Sequence, residues 1–267
     1  MAVELVQAEK HSPMKQSREN AISVNNISKY FGGFDGVIAL EDVSFDIADS
    51  EFVSIIGPSG CGKSTMLRLL AGLIPYEKGD ITMLGQHVDG GMDGVGMVFQ
   101  TDNLLPWLDV CANLKLGADI AGVTVSAAAM AEMIETLGLV GFEKNFPHEL
   151  SGGMRHRVAI GQALICNPQV LLMDEPFGAL DALTRDRLNM ELLRIWQAEK
   201  KTVVLITHSI SEAVLLSDRV LVLSDRPGKL VAKVEINLPR PREPSATRED
   251  RLFGDYVVKL SQLMGVN

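Results

Sequence analysis

A nine-residue glycine-rich segment from Gly57 to Thr65 constrains the fold of this chain more than any other feature of its sequence. It follows a nearly continuous apolar run at Phe52–Ile56, which is typical of a strand buried on both faces, and it opens a helix predicted from Lys63 to Leu73. Glycines let backbone N–H groups turn inward around an anion, and the helix directs its positive end at the same point. The segment therefore predicts a phosphate site made of Gly57, Pro58, Ser59, Gly60, Cys61, Gly62, Lys63, Ser64 and Thr65.

The remaining apolar runs predict a parallel α/β sheet. Strands are predicted at Ile22–Ile27, Val43–Ile47, Val170–Met173, Val203–Ile206 and Val220–Leu223. Helical segments at Ala182–Glu199 and Ile210–Ser217 alternate with the last of them, as in sheets whose parallel strands are joined by helices. Residues of about 104–160 lack strand runs, and Ser126 is a predicted helix N-cap, so this stretch predicts a helical subdomain inserted into the α/β core.

Three segments follow from these patterns: a leader over residues 1–20, a main domain over 21–225 and a C-terminal segment over 226–267. Prolines after Asp225 predict a turn-rich connector. Apolar residues at helical spacing from Leu252 to Met264 predict an amphipathic helix, whose favoured interpretation is docking onto the core rather than partner binding.

Charge and composition exclude several classes of protein. The chain has 34 acidic and 25 basic residues, a net charge of -9, which argues against a nucleic-acid partner. Its three cysteines are far apart and form no CxxC motif, so neither a zinc site nor a disulfide framework is expected. The longest weakly apolar stretch, Ile120–Ala131, is well short of the roughly 20 residues that span a bilayer.

Two acids follow the predicted strand Val170–Met173, at the edge of the sheet where ligands bind. Lys63 is placed to reach the β- and γ-phosphates of a nucleotide. The Ser64 hydroxyl and the Asp174 carboxylate are oxygen ligands of the kind that Mg²⁺ prefers. Glu175 is placed to polarise an attacking water.

A second glycine element begins another helix further along the chain. Ser151, Gly152 and Gly153 would present a hydroxyl and backbone N–H groups at a helix N-terminus, which is a second anion site. A helix cap alone would need one such residue, so the cluster predicts a second phosphate contact.

In this order and spacing the motifs resemble those of the ATP-binding cassette (ABC) family. Gly57–Thr65 resembles the Walker A loop, Leu150–Gly153 the signature and Leu171–Pro176 the Walker B strand, within a similarity that runs from about Ile22 to Glu243. The resemblance implies an ATPase that uses ATP and Mg²⁺, with a P-loop core of mostly parallel sheet, an antiparallel β subdomain and an inserted α-helical subdomain. It also implies a head-to-tail cassette dimer, in which the signature of one copy contacts the ATP of the other.

The same resemblance implies roles for four further residues. Gln100 resembles the Q-loop glutamine, whose amide approaches Mg²⁺ and the attacking water, and His208 resembles the switch histidine. Asp181 resembles the D-loop aspartate at the dimer seam. Phe31 resembles the aromatic residue that stacks on adenine, with Tyr30 as the alternative.

Two departures from the family pattern stand out. His156 replaces the usual glutamine of the signature, and Gly161 replaces a frequent alanine, which we expect to weaken its helix by up to about 1 kcal/mol. Cys61 lies in the phosphate loop near a helix N-terminus, a setting that predicts a lowered thiol pKa.

A single cassette without membrane segments resembles the separate ATPase subunit of an ABC importer. Asn103–Trp107, Phe177–Leu183 and Leu223–Pro241 resemble ATPases of the nitrate, sulfonate and taurine import group. The implied partners are a second ATPase subunit, which we expect to be the same chain, a transmembrane permease and, indirectly, a periplasmic or lipid-anchored solute-binding protein. The implied location is peripheral, on the cytoplasmic face of the membrane. Trp107 fits either a permease contact or a subdomain core residue.

Two other classes stay open at this point. One is a soluble ABC-type ATPase that acts without a permease, which the segment around Trp107 disfavours. The other is a P-loop kinase, which the Ser151–Gly153 cluster and His208 disfavour.

Overall fold

The computed structural model describes residues 19–32, 36–178 and 181–265, so the predicted leader lies almost wholly outside the described residues. In chain order the strands are β1 (Asn20–Phe31), β2 (Val37–Ala48), β3 (Phe52–Ile56), β4 (Lys78–Met83), β5 (Gln86–His87), β6 (Val95–Val98), β7 (Val170–Asp174), β8 (Thr202–Ile206), β9 (Arg219–Leu223) and β10 (Leu230–Glu235). The helices are α1 (Lys63–Leu70), α2 (Val110–Ile120), α3 (Ala127–Thr136), α4 (Gly152–Leu164), α5 (Ala182–Glu199), α6 (Ile210–Leu216), α7 (Pro244–Glu249) and α8 (Arg251–Leu263).

Two sheets form the α/β part of the molecule. The larger has the order β10-β9-β3-β8-β7-β6, and all its neighbouring pairs are parallel except β10 with β9. Every residue of β3, β7 and β8 is buried, as their apolar sequences predict. The smaller sheet is antiparallel, in the order β2-β1-β4-β5.

Helix α1 lies between the two sheets and contacts β2, β7 and β8. Met66, Leu67, Leu69 and Leu70 are fully buried in the core that the two sheets share. This packing fixes the N-terminus of α1, and therefore the phosphate loop, at the carboxyl ends of the parallel strands.

The helical subdomain consists of α2, α3 and α4, with a core of its own. Asp109, Ser126 and Ser151 cap the three helices, each accepting a hydrogen bond from a backbone N–H three residues on, so the predicted cap at Ser126 is confirmed. A Cβ on Gly161 of α4 would lie 2.4 Å from Cδ1 of Leu137 and 2.6 Å from Cδ2 of Leu114. The glycine therefore lets α4 pack closely on its neighbours, and the expectation that Gly161 weakens its helix stays a prediction.

The structure corrects the interpretation of the segment after Asp225. A strand, β10, stands where only a connector was predicted, and it extends the main sheet by pairing with β9. Only Val234 of this strand is buried, so its sequence carries little of the apolar pattern that marked the central strands. Helix α8 docks onto the core through Phe253 and Leu260, as predicted.

Among the described residues, no helix is both long enough and apolar enough to span a membrane.

Candidate nucleotide site

The phosphate loop connects β3 to α1 and lines a cavity of about 400 Å³. Gly60 and Gly62 have φ values of 77° and 103°, in the left-handed region that glycine adopts without strain. From the loop and the first turn of α1, six residues line the cavity: Ser59, Gly60, Gly62, Lys63, Ser64 and Thr65. The loop therefore provides the cradle for phosphate groups that the sequence predicted.

Lys63 is held inside this loop by its own backbone. Its Nζ donates hydrogen bonds to the carbonyl oxygens of Gly57 at 2.8 Å and Pro58 at 3.0 Å, and the residue is only 5% exposed. A buried ammonium that already lies at the loop provides a fixed positive charge for an anion.

Ser64 and Asp174, whose oxygens the sequence predicted as ligands for a metal, lie side by side. The Ser64 hydroxyl donates a hydrogen bond of 3.0 Å to Oδ1 of Asp174, which ends β7. Burial is the main cause that raises the pKa of the Asp174 carboxyl, and the hydrogen bond from Ser64 partly opposes it. No cluster of three His, Cys, Asp or Glu side chains suited to a metal occurs in the described part of the chain. A hydroxyl and one carboxylate beside a phosphate site fit Mg²⁺, which is commonly held by one or two carboxylates together with substrate phosphates.

Two predicted residues, His208 and Gln100, converge on the carboxylate of a third, Glu175. His208 Nε2 lies 2.6 Å from Glu175 Oε1, and Gln100 Nε2 donates a hydrogen bond of 3.4 Å to Oε2. Gln100 follows β6, Glu175 follows β7 and His208 follows β8, and these are three adjacent strands of the main sheet. Glu175 and His208 also line the phosphate-loop cavity, so the carboxylate is placed to act on a molecule bound there.

The loop that carries His208 is held by residues that the sequence analysis did not select. Thr207 donates a hydrogen bond to the Glu212 carboxylate, and its own oxygen accepts one from the backbone N–H of Ser209. Glu212 is buried in α6, and burial raises the pKa of its carboxyl. An acid two positions into a helix is usually a solvated side chain, so the sequence alone carried no sign of this network.

Phe31 also lines the phosphate-loop cavity, together with Val37 and Ala39. Phe31 is 44% exposed, and the Lys29 ammonium lies over its ring, 5.1 Å from the ring centroid. Tyr30 is absent from the lining of this cavity. The structure thus favours Phe31 over Tyr30 as the aromatic residue available for a base. Arg226 also lines the cavity, although no sequence motif pointed to it.

The signature residues lie outside the phosphate-loop cavity. Ser151, Gly152, Gly153 and Asp181 line a second cavity of about 670 Å³ that shares no residue with the first. Ser151 Oγ caps α4 by accepting a hydrogen bond of 3.3 Å from Met154 N, and Asp181 caps α5 by accepting one of 3.0 Å from Thr184 N. The hydrogen bonds from Thr184 lower the pKa of the Asp181 carboxyl. Ala179 and Leu180 of the predicted D-loop lie outside the described residues.

Comparison with known proteins agrees with this geometry. The model of the ABC transporter family matches residues 40–178. The chain belongs to the ABC transporter family. Its fold is the P-loop ATPase fold predicted above, and that prediction is confirmed.

Relatives of this ABC cassette match it over most of its length. It is 46% identical to an uncharacterized ABC transporter ATP-binding protein of Methanocaldococcus jannaschii, over 91% of each chain. It is 43% identical to an aliphatic sulfonates import ATP-binding protein of Bacillus cereus, over 84% of this chain and 90% of the relative. It is also 43% identical to a taurine import ATP-binding protein of Escherichia coli, over 80% and 85%.

A solved structure extends the comparison to the nucleotide. A dimeric ATP-binding cassette in a post-hydrolysis state, bound to ADP and Pi, is similar with a TM-score of 0.73 at 31% identity. The match covers 82% of this chain and all of that one. This ABC cassette is therefore an ATPase subunit of a type that is known to dimerise.

One expectation for this cassette is wrong, and one of two open alternatives is excluded. Cys61 is buried, and burial raises the pKa of its thiol despite the nearby Lys63 ammonium, so the prediction of a lowered thiol pKa is contradicted. Trp107 is 69% exposed, which excludes the alternative that it belongs to the subdomain core. His156, at the unusual signature position, is buried in α4, and burial lowers the pKa of its imidazole.

Proposed function

We propose that two copies of this cassette bind ATP with Mg²⁺ between them and hydrolyse it to drive uptake of a small anionic solute through a separate permease. The observation that carries the proposal is the convergence of Gln100 and His208 on Glu175 beside the phosphate-loop cavity. The two signature glycines line a different cavity of the same chain, which is why a second copy is needed to complete each site.

In the proposed reaction, Lys63 and the N–H groups of the phosphate loop hold the phosphates of ATP, and Phe31 stacks on adenine. Mg²⁺, held by Ser64 and Asp174, would neutralise charge on the β- and γ-phosphates. Glu175 takes a proton from water as the water oxygen bonds to the γ-phosphorus, the bond to the bridging oxygen breaks, and ADP and phosphate are released.

Three further contacts belong to this proposal. His208 and Gln100 hold the Glu175 carboxylate in place for the attacking water, and the Gln100 amide would also approach Mg²⁺. Ser151, Gly152 and Gly153 of the second copy would present a helix N-terminus to the γ-phosphate. Asp181, at the start of α5, would lie at the seam between the copies.

The proposed permease contact lies beside Gln100. A groove of about 640 Å³ runs between the β6 edge of the main sheet and helices α2 and α4, and Phe99 and Thr101 line it on either side of Gln100. Exposed apolar side chains also line the groove, with Ile120 79% exposed. Trp107 follows in the next loop. A permease segment seated here would be linked through Gln100 to Glu175, which supports coupling of transport to ATP.

The relatives named for sulfonate and taurine import support a sulfonate-like anion as the solute. The cassette itself would lie peripherally on the cytoplasmic face of the membrane, bound to the permease. A solute-binding protein, periplasmic or lipid-anchored, would deliver the anion from the other side.

Capture of the tagged chain from detergent-solubilised membranes, with each co-purifying protein identified, tests the proposal. We expect a polytopic permease, and we expect Trp107→Ala to lower its recovery about tenfold or more while the ATPase rate of the isolated subunit stays within about twofold. Val258→Ala is the matched control, since this apolar side chain is 57% exposed on α8. Capture of soluble partners alone would favour an ABC ATPase that acts without a permease.

A further inference from the structure

A turn at Asp225–Gly228, between β9 and β10, contacts the phosphate loop directly. Nε and one terminal nitrogen of Arg226 donate hydrogen bonds of 3.1 and 3.0 Å to the carbonyl oxygen of Gly60. The guanidinium thus binds the middle of the loop with two bonds, although 166 residues separate the two positions.

Gly228 brings the same turn against the phosphate loop and against β2, which both contribute to the lining of the cavity. A Cβ at this position would lie 2.0 Å from the Cys61 carbonyl oxygen, so only glycine permits the contact. Its N–H donates a hydrogen bond of 3.0 Å to Ala39, and its carbonyl accepts one of 3.1 Å from Glu41. The turn therefore joins the phosphate loop to β2, whose residue Ala39 lines the cavity near Phe31.

The bond to Gly60 has a physical reason. A loop whose N–H groups turn inward to an anion turns its carbonyl groups outward, and those carbonyls need donors. Lys63 donates hydrogen bonds to the carbonyls of Gly57 and Pro58, while Arg226 donates to that of Gly60. Arg226 also lines the cavity itself, and among the described residues Lys63 is the one other lysine or arginine in that lining.

We propose that Arg226 is a positioning residue for nucleotide binding, which holds the Gly60 carbonyl so that the phosphate loop keeps its N–H groups directed at the phosphates. This inference rests on the proposed binding of ATP. ATP and ADP would both place phosphate groups in this loop, so Arg226 should strengthen the binding of both by a similar factor. It should affect nucleotide binding more than the chemical step.

Binding of Mg-ATP and Mg-ADP by titration calorimetry, together with steady-state ATPase kinetics, tests this role. For Arg226→Gln we expect the Kd of both nucleotides and the KM for ATP to rise about 5- to 20-fold, with kcat within about twofold. Arg226→Lys should give an intermediate Kd, since an ammonium keeps the charge but lacks the two-pronged geometry.

The control is Lys229→Gln, which removes a charge from the same turn. Lys229 pairs with Glu41 at 3.0 Å, and both side chains are largely solvated, so we expect its Kd to match the wild type. Arg226→Gln with wild-type Kd for both nucleotides, at an unchanged melting temperature without nucleotide, would overturn the inference. If that variant does not fold, Arg226→Lys decides in the same way, a raised KM supporting the inference and an unchanged KM overturning it. A wild-type chain that binds no ATP would instead contradict the proposed function.

Discussion

The two glycine elements of this chain are both built on helix N-termini, yet they differ in how far their own chain completes them. Around the phosphate loop, Lys63 and Asp174 are each 5% exposed and hydrogen-bonded to residues of the same chain. Around the signature, Ser151 and Asp181 are exposed, and within the described part of the chain each side chain accepts a hydrogen bond from its own helix. We call the phosphate loop and its surroundings the finished half, because its charged groups are bonded within one chain. We call the signature and its surroundings the open half, because its donors lie at an exposed surface.

The difference follows from the charge of the groups involved. The phosphate loop holds charged side chains within one chain, whereas the signature presents neutral groups. A buried ammonium and carboxylate must be held by internal hydrogen bonds, because unpaired charges are costly to bury. The signature contributes neutral N–H groups and a hydroxyl, which tolerate water until a ligand arrives. Two copies related by a twofold axis would then bring the finished half of each chain to the open half of the other.

Glu175→Gln is expected to have the largest effect on the finished half. The amide keeps the shape of the side chain but cannot take a proton from water, so we expect the ATPase rate to fall by about 100-fold or more while Mg-ATP still binds. Phosphate release and equilibrium binding measure the two parts separately. Near wild-type hydrolysis would remove Glu175 from its assigned role.

Mixed dimers extend this test to the sharing between the two halves. Gly153→Asp places a carboxylate where a phosphate is proposed to bind, and two differently tagged chains allow mixed dimers to be isolated. A dimer of Glu175→Gln with Gly153→Asp leaves one intact shared site and should keep up to about half of the ATPase rate. A dimer of wild type with a chain that carries both changes leaves none. The opposite ranking would show that each chain completes its own site.

The predictable part of the site consists of groups that directly follow buried strands. Asp174 ends β7, Glu175 follows it, and His208 lies two residues after β8. Parallel strands bring their carboxyl ends to one edge of the sheet, so the proximity of these residues followed from strand order alone. Arg226 was not predictable in this way, because no pattern tells which carbonyl a distant guanidinium reaches. Glu212 was missed because a single acid in a short helix gives no sign that the helix is buried.

Packing between elements was the other part that the sequence left open. Strand β10 lies at the edge of the sheet with one buried residue, and the prolines before and after it suggested a connector. Gly161 suggested a weakened helix and not a close contact, because propensity scales take no account of what lies opposite a residue.

Gly117→Ala is expected to have the largest effect on stability, and it acts on the half that carries the signature. A Cβ at Gly117 of α2 would lie 2.5 Å from the backbone carbonyl oxygen of Gln162 in α4. Helix propensity favours alanine by about 1 kcal/mol, but the clash with backbone should outweigh it and lower the free energy of unfolding by about 1–3 kcal/mol.

Gly161→Ala provides the matched comparison, since its Cβ would meet the ends of two leucine side chains, which move more easily than backbone. Urea unfolding of both variants should rank Gly117→Ala as the less stable. If both variants gained stability, propensity and not close packing would govern the contact between α2 and α4.

Asp174→Asn is expected to have the smallest effect on stability, and its effects on stability and on activity have opposite signs. Burial raises the pKa of this carboxyl above its ordinary value, so the folded chain binds the proton more tightly than the unfolded chain does. The ionised carboxylate therefore lowers stability at neutral pH, and this loss disappears as the pH falls through the raised pKa. Without nucleotide, we expect Asn to raise the free energy of unfolding by about 1 kcal/mol and the melting temperature by about 2–4 °C, while it abolishes Mg-dependent hydrolysis.

Asp181→Asn is the control from the open half, where the sign is reversed. Hydrogen bonds from Thr184 lower the pKa of the exposed Asp181 carboxyl, so its charge stabilises the fold at neutral pH, and that stability is lost as the pH falls through the lowered pKa. Its removal should leave the melting temperature at pH 7 unchanged or lower, never higher. Thermal melts between pH 5 and 8 in EDTA compare the two variants. Equal behaviour of both would mean that burial of Asp174 carries no cost, and the contrast between a buried and an open half would lose its energetic basis.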